Sequence, residues 1–317
     1  MRVARGGVVM AMWREGENRP HRQSGEESGV FQDFTGADGL GAAIAEGDSR
    51  KRNWSVLLPF FNERDYLRDT VASLACQSET PILILIDNGS TDGSAEVAVD
   101  AARDHGLAYV LVHERRPGKV SALAAGLPFV ATPYVATCDA DSWYPSHYLA
   151  AGQALLEQTG RAAAGAYFVS RRARLVERLA GAFQICLVAR LFPGQCHAGG
   201  AGQLFRTAAL RRAGGFDPAR WNLVLEDHEV MHRLLPHGSI GYGAALWCAP
   251  APRKRDRASV RWTVAERLCY LALGARAGDW FFYDYLARRL LARQLSSDRL
   301  RERPFQPPVA DMVAVAA

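Results

Sequence analysis

The pattern of apolar positions changes sharply at Trp54. Before it, residues 1–52 mix Gly, Glu and Arg without a sustained period and read as a flexible extension. After it, Ser55 to Phe61 (SVLLPFF) is a continuous apolar run, as expected of a strand buried on both faces. Glu63 to Ala75 sets Leu67, Val71 and Leu74 at helical spacing, and Pro81 to Ile86 (PILILI) is a second buried strand closed by Asp87-Asn88-Gly89-Ser90. Ser94 to His105 predicts a helix, Ala108 to His113 a third strand, Lys119 to Leu127 a small-residue helix, and Tyr134 to Cys138 a fourth strand that ends at Asp139.

Strands alternating with helices across short connections call for a parallel sheet wrapped by helices, because parallel strands need crossovers. In such sheets ligands sit at the carboxyl ends of the strands. The polar residues at those ends are Asn62 and Glu63, Asp87 and Asn88, and Asp139 and Asp141. Beyond about Tyr148 the alternation weakens. Arg171 to Leu191 predicts a helix, Gln195 to Gly202 a Gly-rich loop, Leu223 to Leu235 a helix, and Arg261 to Leu295 an extended helical region with a strong apolar component. Pro304, Pro307 and Pro308 mark a loose tail.

The composition admits a packed core, with 49% hydrophobic and 22% charged residues in 317. A net charge of +5 suits an anionic ligand or a membrane surface and is too mild to argue for nucleic acid. Much of the excess is local, in Arg171, Arg172 and Arg174 and in Arg253, Lys254, Arg255 and Arg257, although solvated faces carry such runs too. The six cysteines are scattered, with neither disulfide-scaffold nor zinc-ribbon spacing, so a reduced, cytoplasmic protein is expected. No stretch reaches the ~20 apolar residues of a membrane span. Arginines beside the apolar helices predict at most peripheral contact on the inner membrane face.

Asp139-Ala140-Asp141 directly follows an apolar strand. Residues two apart in an extended segment point the same way, so both carboxylates face one ligand and suit Mg²⁺ or Mn²⁺ shared with a diphosphate. Asp87 to Ser94 joins a strand end to a helix start; Asp92 or Ser94 suits helix capping, and Asp87 at the strand tip a nucleoside contact. Glu226-Asp227 lies near a helix start, where the dipole favours carboxylates. In a catalytic role, one of the two would deprotonate an acceptor hydroxyl. Gly199, Gly200 and Gly202 would let backbone approach a ligand, and the basic run up to Arg261 would hold a diphosphate.

Taken in order, these stretches resemble the inverting glycosyltransferases of family 2, with their GT-A fold, from about Trp54 to Trp262. Val56 to Glu63 is similar to the opening strand motif, Asp87 to Ser94 to the nucleotide motif, and Gly118-Lys119-Val120-Ser121-Ala122-Leu123 to the Gly-Lys helix start. Asp139-Ala140-Asp141-Ser142 resembles the metal motif, Gly199 to Phe205 running on to Gly214-Gly215-Phe216-Asp217 the acceptor-side loop, and Leu225-Glu226-Asp227 the base motif. The resemblance implies a GT-A domain over 53–262 and a helical extension over 263–317. It also implies a nucleotide-diphospho-sugar donor, a divalent cation, and an acceptor that is a glycan, lipid or small molecule. Asp227 would be the base, supported by Glu226, and Asp141 the metal ligand. Pro59, Asn62, Glu63, Asp87, Lys119 and Asp139 would surround the nucleotide, and Gly200, Arg261 and Trp262 the diphosphate or acceptor. Asn88 stands where many relatives carry a second Asp, which leaves uridine, thymidine and guanosine donors open. The Gln-x-x-Arg-Trp motif of processive synthases is absent, since Ala258 precedes Arg261-Trp262.

Three rivals compete. His228-Glu229-Val230-Met231-His232 matches the zinc-hydrolase motif His-Glu-x-x-His, but Leu235 and Gly238 stand where the extended motif needs Gly and His, and Pro236 ends the helix. A sugar-nucleotide pyrophosphorylase would need a Gly-rich basic loop after the first strand, which Phe60 to Asp65 does not provide. A scaffold without activity would not need Asp139, Asp141 and Asp227.

Overall fold

The computed structural model describes residues 11–12, 52–252, 262–274 and 276–301. Of the predicted N-terminal extension, only 11–12 and Arg52 fall within them; the basic run 253–261 and the tail beyond 301 lie outside.

The first half follows the predicted alternation. Its elements are β1 (Ala11–Met12), β2 (Trp54–Phe60), α1 (Arg64–Ala75), β3 (Ile82–Asp87), α2 (Ser94–Asp104), β4 (Tyr109–His113), α3 (Lys119–Gly126), β5 (Tyr134–Thr137) and β6 (Ser142–Trp143). Then come α4 (Tyr148–Leu156), β7 (Arg161–Gly165), β8 (Tyr167–Phe168), α5 (Leu175–Leu191), β9 (Gln203–Arg206), α6 (Thr207–Arg212), α7 (Glu226–Leu234), β10 (Ser239–Gly241) and β11 (Trp247–Pro250). The C-terminal part is α8 (Val264–Leu273), a π-helical segment Trp280–Leu286, α9 (Ala287–Ala292) and α10 (Ser297–Arg301).

The strands form a mostly parallel sheet in the order β1-β4-β3-β2-β5-β9-β7-β10, in which β9 runs antiparallel to both β5 and β7. A small second sheet, β6-β11-β8, lies beside it. Strands β2 and β3 are buried on both faces, and their side chains divide by the period of two. Val56, Leu58, Phe60, Leu83 and Leu85 pack under α1 and α2. Leu57, Ile84 and Ile86 pack on the other side with Val120, Leu123, Val230 and Met231. Each such fully buried aliphatic side chain is worth about 1.5–3 kcal/mol, so the two-faced core holds the strand ends in fixed register. Pro59 lacks an N–H, yet it sits in a central strand. It is tolerated because β5 pairs with β2 only as far as Leu57↔Thr137, and Pro59 lies beyond that ladder.

Three boundaries differ from the sequence expectation. The helix predicted from Arg171 begins at Leu175, where Arg174 is extended and its N–H donates to Glu177 Oε2 at 2.7 Å, so the arginine run lies outside the helix. The helix predicted from Leu223 begins at Glu226, because Leu225 adopts φ +66°. The long helical stretch predicted from Arg261 breaks into α8, the π segment and α9. Phe281, Phe282 and Leu286 of the π segment form a C-terminal core with Trp221, Tyr270 and Leu290.

Candidate functional site

The carboxyl ends of β2, β3 and β5 frame a cleft of about 290 Å³ whose lining includes Pro59, Glu63, Asn88, Lys119, Asp139 and Asp141. Asp141 is 8% exposed, and its carbonyl accepts from Ala251 N–H at 2.7 Å. The Asp139 N–H donates to Tyr144 Oη at 2.9 Å, and that hydroxyl donates to the Ala201 carbonyl at 3.0 Å. The two acidic residues after β5 are thus tied to the Gly-rich loop before β9.

Asn62 and Asp87 stand at the same edge but outside the cleft lining, with their oxygens turned to neighbouring loops. Asn62, at φ +53°, accepts from Thr91 N–H at 2.9 Å, and its own N–H donates to Ser90 Oγ at 3.1 Å. Asp87 Oδ1 accepts from Ser90 N–H at 2.8 Å, and Oδ2 lies 3.1 Å from His113 Nδ1. Burial alone would raise the Asp87 pKa, but these hydrogen bonds and the His113 ring bring it below the ordinary carboxylate value. The buried Asn88 amide donates to the carbonyls of Glu114 and Arg116 at 2.9 and 2.8 Å, and its Oδ1 accepts from Gly118 N–H at 2.9 Å. A carboxylate in its place has no donors for those two carbonyls. The departure from the family's second Asp therefore fixes the loop that delivers Lys119.

Lys119 joins the cleft to α7. Its Nζ donates to Asp139 Oδ1 at 2.5 Å and lies 3.6 Å from Glu226 Oε1. Burial would lower its pKa, but Asp139, Glu226 and Asp227 outweigh burial and raise it. Glu226 shifts upward, first through burial and then through the charge of Asp227, with Lys119 opposing. Asp227 shifts downward despite burial, because His228 and Lys119 stabilise its anion. Asp227 Oδ1 accepts from His228 N–H at 2.8 Å and lies 2.8 Å from His228 Nδ1. Gly200 belongs to the same seam. A Cβ there would stand 2.8 Å from Lys119 Nζ and 3.5 Å from Glu226 Oε1, so the ammonium and the backbone could not both keep their places. Leu225, immediately before these carboxylates, holds a left-handed conformation that costs a non-glycine residue about 1–3 kcal/mol.

The hard oxygen donors Asp139 and Asp141 fit Mg²⁺ or Mn²⁺. Both carboxylates line the cleft, so either could contribute to holding the cation. Among the described residues no group of three His, Cys, Asp or Glu side chains could hold a metal, so diphosphate oxygens or water would have to complete the coordination.

The zinc-hydrolase residues are committed elsewhere. Glu229 is 2% exposed and paired with Arg233 at 2.7 and 2.9 Å, and it accepts from Tyr283 Oη at 2.7 Å. His232 Nε2 lies 2.8 Å from Asp279 Oδ1 and its ring stacks on Phe282, while His228 turns to Asp227. Burial and the ion pair hold Glu229 as a structural anchor of α7. Arg261 lies outside the described residues. Trp262 packs 5.2 Å from the His228 ring and 5.7 Å from Phe281, and it lines a second groove with His228 rather than the nucleotide cleft.

Sequence reasoning missed several supporting residues. Gln203 Nε2 donates to the Asp227 carbonyl at 2.9 Å, Thr137 Oγ1 donates to the Gly200 carbonyl at 2.9 Å, and Tyr144 and His113 act as described above. The usable signal was polar residues inside or just after apolar strands, where an unpaired hydroxyl or amide is costly.

The fold is shared with a mannosyltransferase from Pyrobaculum calidifontis, solved with GDP-Man and Mn²⁺, at a TM-score of 0.57 and 20% identity over 81% of this chain and 88% of that one. Residues 55–211 match the family described as Glycosyl transferase family 2, and the chain belongs to that family. An undecaprenyl-phosphate 4-deoxy-4-formamido-L-arabinose transferase of Edwardsiella ictaluri is 35% identical over 96 residues, 29% of this chain and 30% of that protein. A poly-beta-1,6-N-acetyl-D-glucosamine synthase of Staphylococcus epidermidis is 34% identical over 89 residues, 28% of this chain and 21% of that protein. The chain thus spans about a third or less of these curated relatives.

Proposed function

We propose that the chain transfers a sugar from a nucleotide-diphospho-sugar to an acceptor hydroxyl in one in-line displacement that inverts the anomeric carbon, with Asp227 as general base. The observation that carries this reading is the Lys119 bridge, 2.5 Å from Asp139 and 3.6 Å from Glu226, which holds the α7 carboxylates over the edge of the donor cleft. The donor's nucleotide and diphosphate would lie in the 290 Å³ cleft along Pro59, Glu63 and Asp139. A Mg²⁺ or Mn²⁺ held by Asp141 would supply charge neutralisation on the departing diphosphate. Lys119 adds a fixed positive charge on the same side.

The acceptor approaches from the opposite flank, past Gly199. His228 holds Asp227 Oδ1, while Oδ2 is turned toward Gly199, where a Cβ would meet the Phe168 ring at 2.7 Å but would stand 3.7 Å from Oδ2. As the acceptor oxygen bonds to the anomeric carbon, its proton passes to Asp227, the bond from that carbon to the diphosphate breaks, and the nucleoside diphosphate leaves. The lowered pKa of Asp227 keeps it ionised and ready at neutral pH. Six free thiols, three of them buried, support work in a reducing, cytoplasmic setting. Peripheral contact with the inner membrane face belongs to the same proposal.

Replacing Asp227 by Asn tests the base. The variant should bind nucleotide as wild type does and lose ~10²- to 10⁴-fold in transfer. Wild-type turnover in Asp227→Asn would remove the residue from the mechanism.

A further inference from the structure

Helix α5 is amphipathic in an unusual sense, because its exposed face is the apolar one. Leu175, Leu179, Phe183, Leu187 and Leu191 recur every four residues and form one ridge, with exposures of 72, 56, 69, 42 and 63%. Val176 adds to it at 68%, while only Ala182 and Ile185 of the helix are buried. Helix α8 continues the surface with exposed Val264, Leu268 and Leu273. Between the two helices runs a groove of about 590 Å³, lined mostly by apolar side chains such as Ile185, Val188, Phe192 and Leu271. Its inner end is Gly199 and His228, beside Asp227, and Arg267 stands in its wall. Exposed Arg171, Arg172 and Arg174 precede the ridge and Arg190 lies near its end. Among the described residues no helix is long and apolar enough to cross a membrane.

We infer that the ridge of α5 seats in an anionic bilayer surface and that the groove receives the hydrocarbon chain of a phosphate-bearing lipid, whose acceptor hydroxyl is thereby presented to Asp227. The inference rests on the transferase reading for its last clause. Charge complementarity selects the occupant. An exposed apolar ridge flanked by arginines matches an interface of acyl chains below anionic headgroups. A mostly apolar groove, with Arg267 in its wall and His228, the hydrogen-bond partner of Asp227, in its lining, matches one lipid drawn from that surface.

The test uses the full chain. Sedimentation with phosphatidylcholine vesicles, with and without 30% phosphatidylglycerol by design, should pellet the protein preferentially with the anionic vesicles (the direction expected of an Arg-flanked surface). Leu179→Asp combined with Phe183→Asp should lower that partition by about tenfold or more, whereas Leu291→Asp, at an exposed apolar site on α9, should not. Calorimetry with dodecyl phosphate should show binding that is weakened about tenfold by Val188→Trp, which fills the groove, while inorganic phosphate alone does not bind. Nucleotide titration of the same variants should match wild type. Absence of vesicle binding, or equal loss in Leu291→Asp, would overturn the inference, as would a dimer in sedimentation velocity that the double variant dissolves without any vesicle binding. Equal dodecyl phosphate affinity in Val188→Trp would remove the groove from it. Failure of wild type to bind any nucleotide would sink the transferase reading and leave the membrane surface standing.

Discussion

The donor edge of the sheet and the flank beyond α7 are built on opposite plans. At the donor edge, Asn62, Asp87, Asn88, Ser90 and Ser94 each bond to a neighbouring loop across 26 or more residues of sequence or to the adjoining turn, so the polar groups fix one another. Across Asp227, the groove is largely apolar and its helices expose leucines and a phenylalanine. A network of satisfied hydrogen bonds is rigid and recognises a ligand of one shape. An apolar groove recognises area and tolerates length. The two plans suit a donor whose parts are always the same and an acceptor that is defined by a chain. Lys119, Gly200 and the strained Leu225 lie at the seam where the two meet.

The comparison breaks first at Glu229. It is a buried charge on the largely apolar flank, and Glu229→Ala leaves the Arg233 side chain without its ion-pair partner. That variant should lose about 3–5 kcal/mol in chemical denaturation, with no change in bound zinc. A loss below about 1 kcal/mol would mean that packing alone holds α7. Asn88→Asp probes the donor edge. Replacing two donors by acceptors opposite the Glu114 and Arg116 carbonyls should cost about 1–3 kcal/mol and weaken nucleotide binding through the displaced Lys119 loop. Unchanged stability would show that the donor edge is less interlocked than its hydrogen bonds imply. The smallest effect is electrostatic. The folded pKa of Asp87 lies below its ordinary 3.8, so its contribution is complete above that value and is lost as pH falls through the lower, folded value. Asp87→Asn should flatten the acid side of the stability curve, and thermal melts from neutral to acid pH will show whether the two curves converge.

Much of the donor half was legible because apolar runs such as PILILI leave little choice but a buried strand, and because its loops are strings of turn residues. The positions of Lys119, Asp139 and Asp141 around one cleft follow from the topology that those strands impose. The flank resisted for physical reasons. Strand β7 (RAAAG) consists mainly of alanines with helical preference, and it becomes a strand by pairing with β9 on one side and β10 on the other. The start of α7 is set by a left-handed Leu225 that no propensity foresees. Helical spacing identified α5, but not which of its faces would be exposed, because that depends on what packs against it. The His-Glu-x-x-His match misleads for a similar reason, since the half-buried Tyr283 that joins Arg233 in claiming Glu229 is brought there by the folded packing.

The most direct test is calorimetric titration of UDP, TDP and GDP, each with and without Mn²⁺, against wild type, Asp141→Ala and Asp227→Asn. The account predicts that one nucleotide binds wild type in a Mn²⁺-dependent way, that Asp141→Ala abolishes this binding, and that Asp227→Asn preserves it. Binding that ignores Mn²⁺ and survives Asp141→Ala, or no nucleotide binding under any condition, would contradict it.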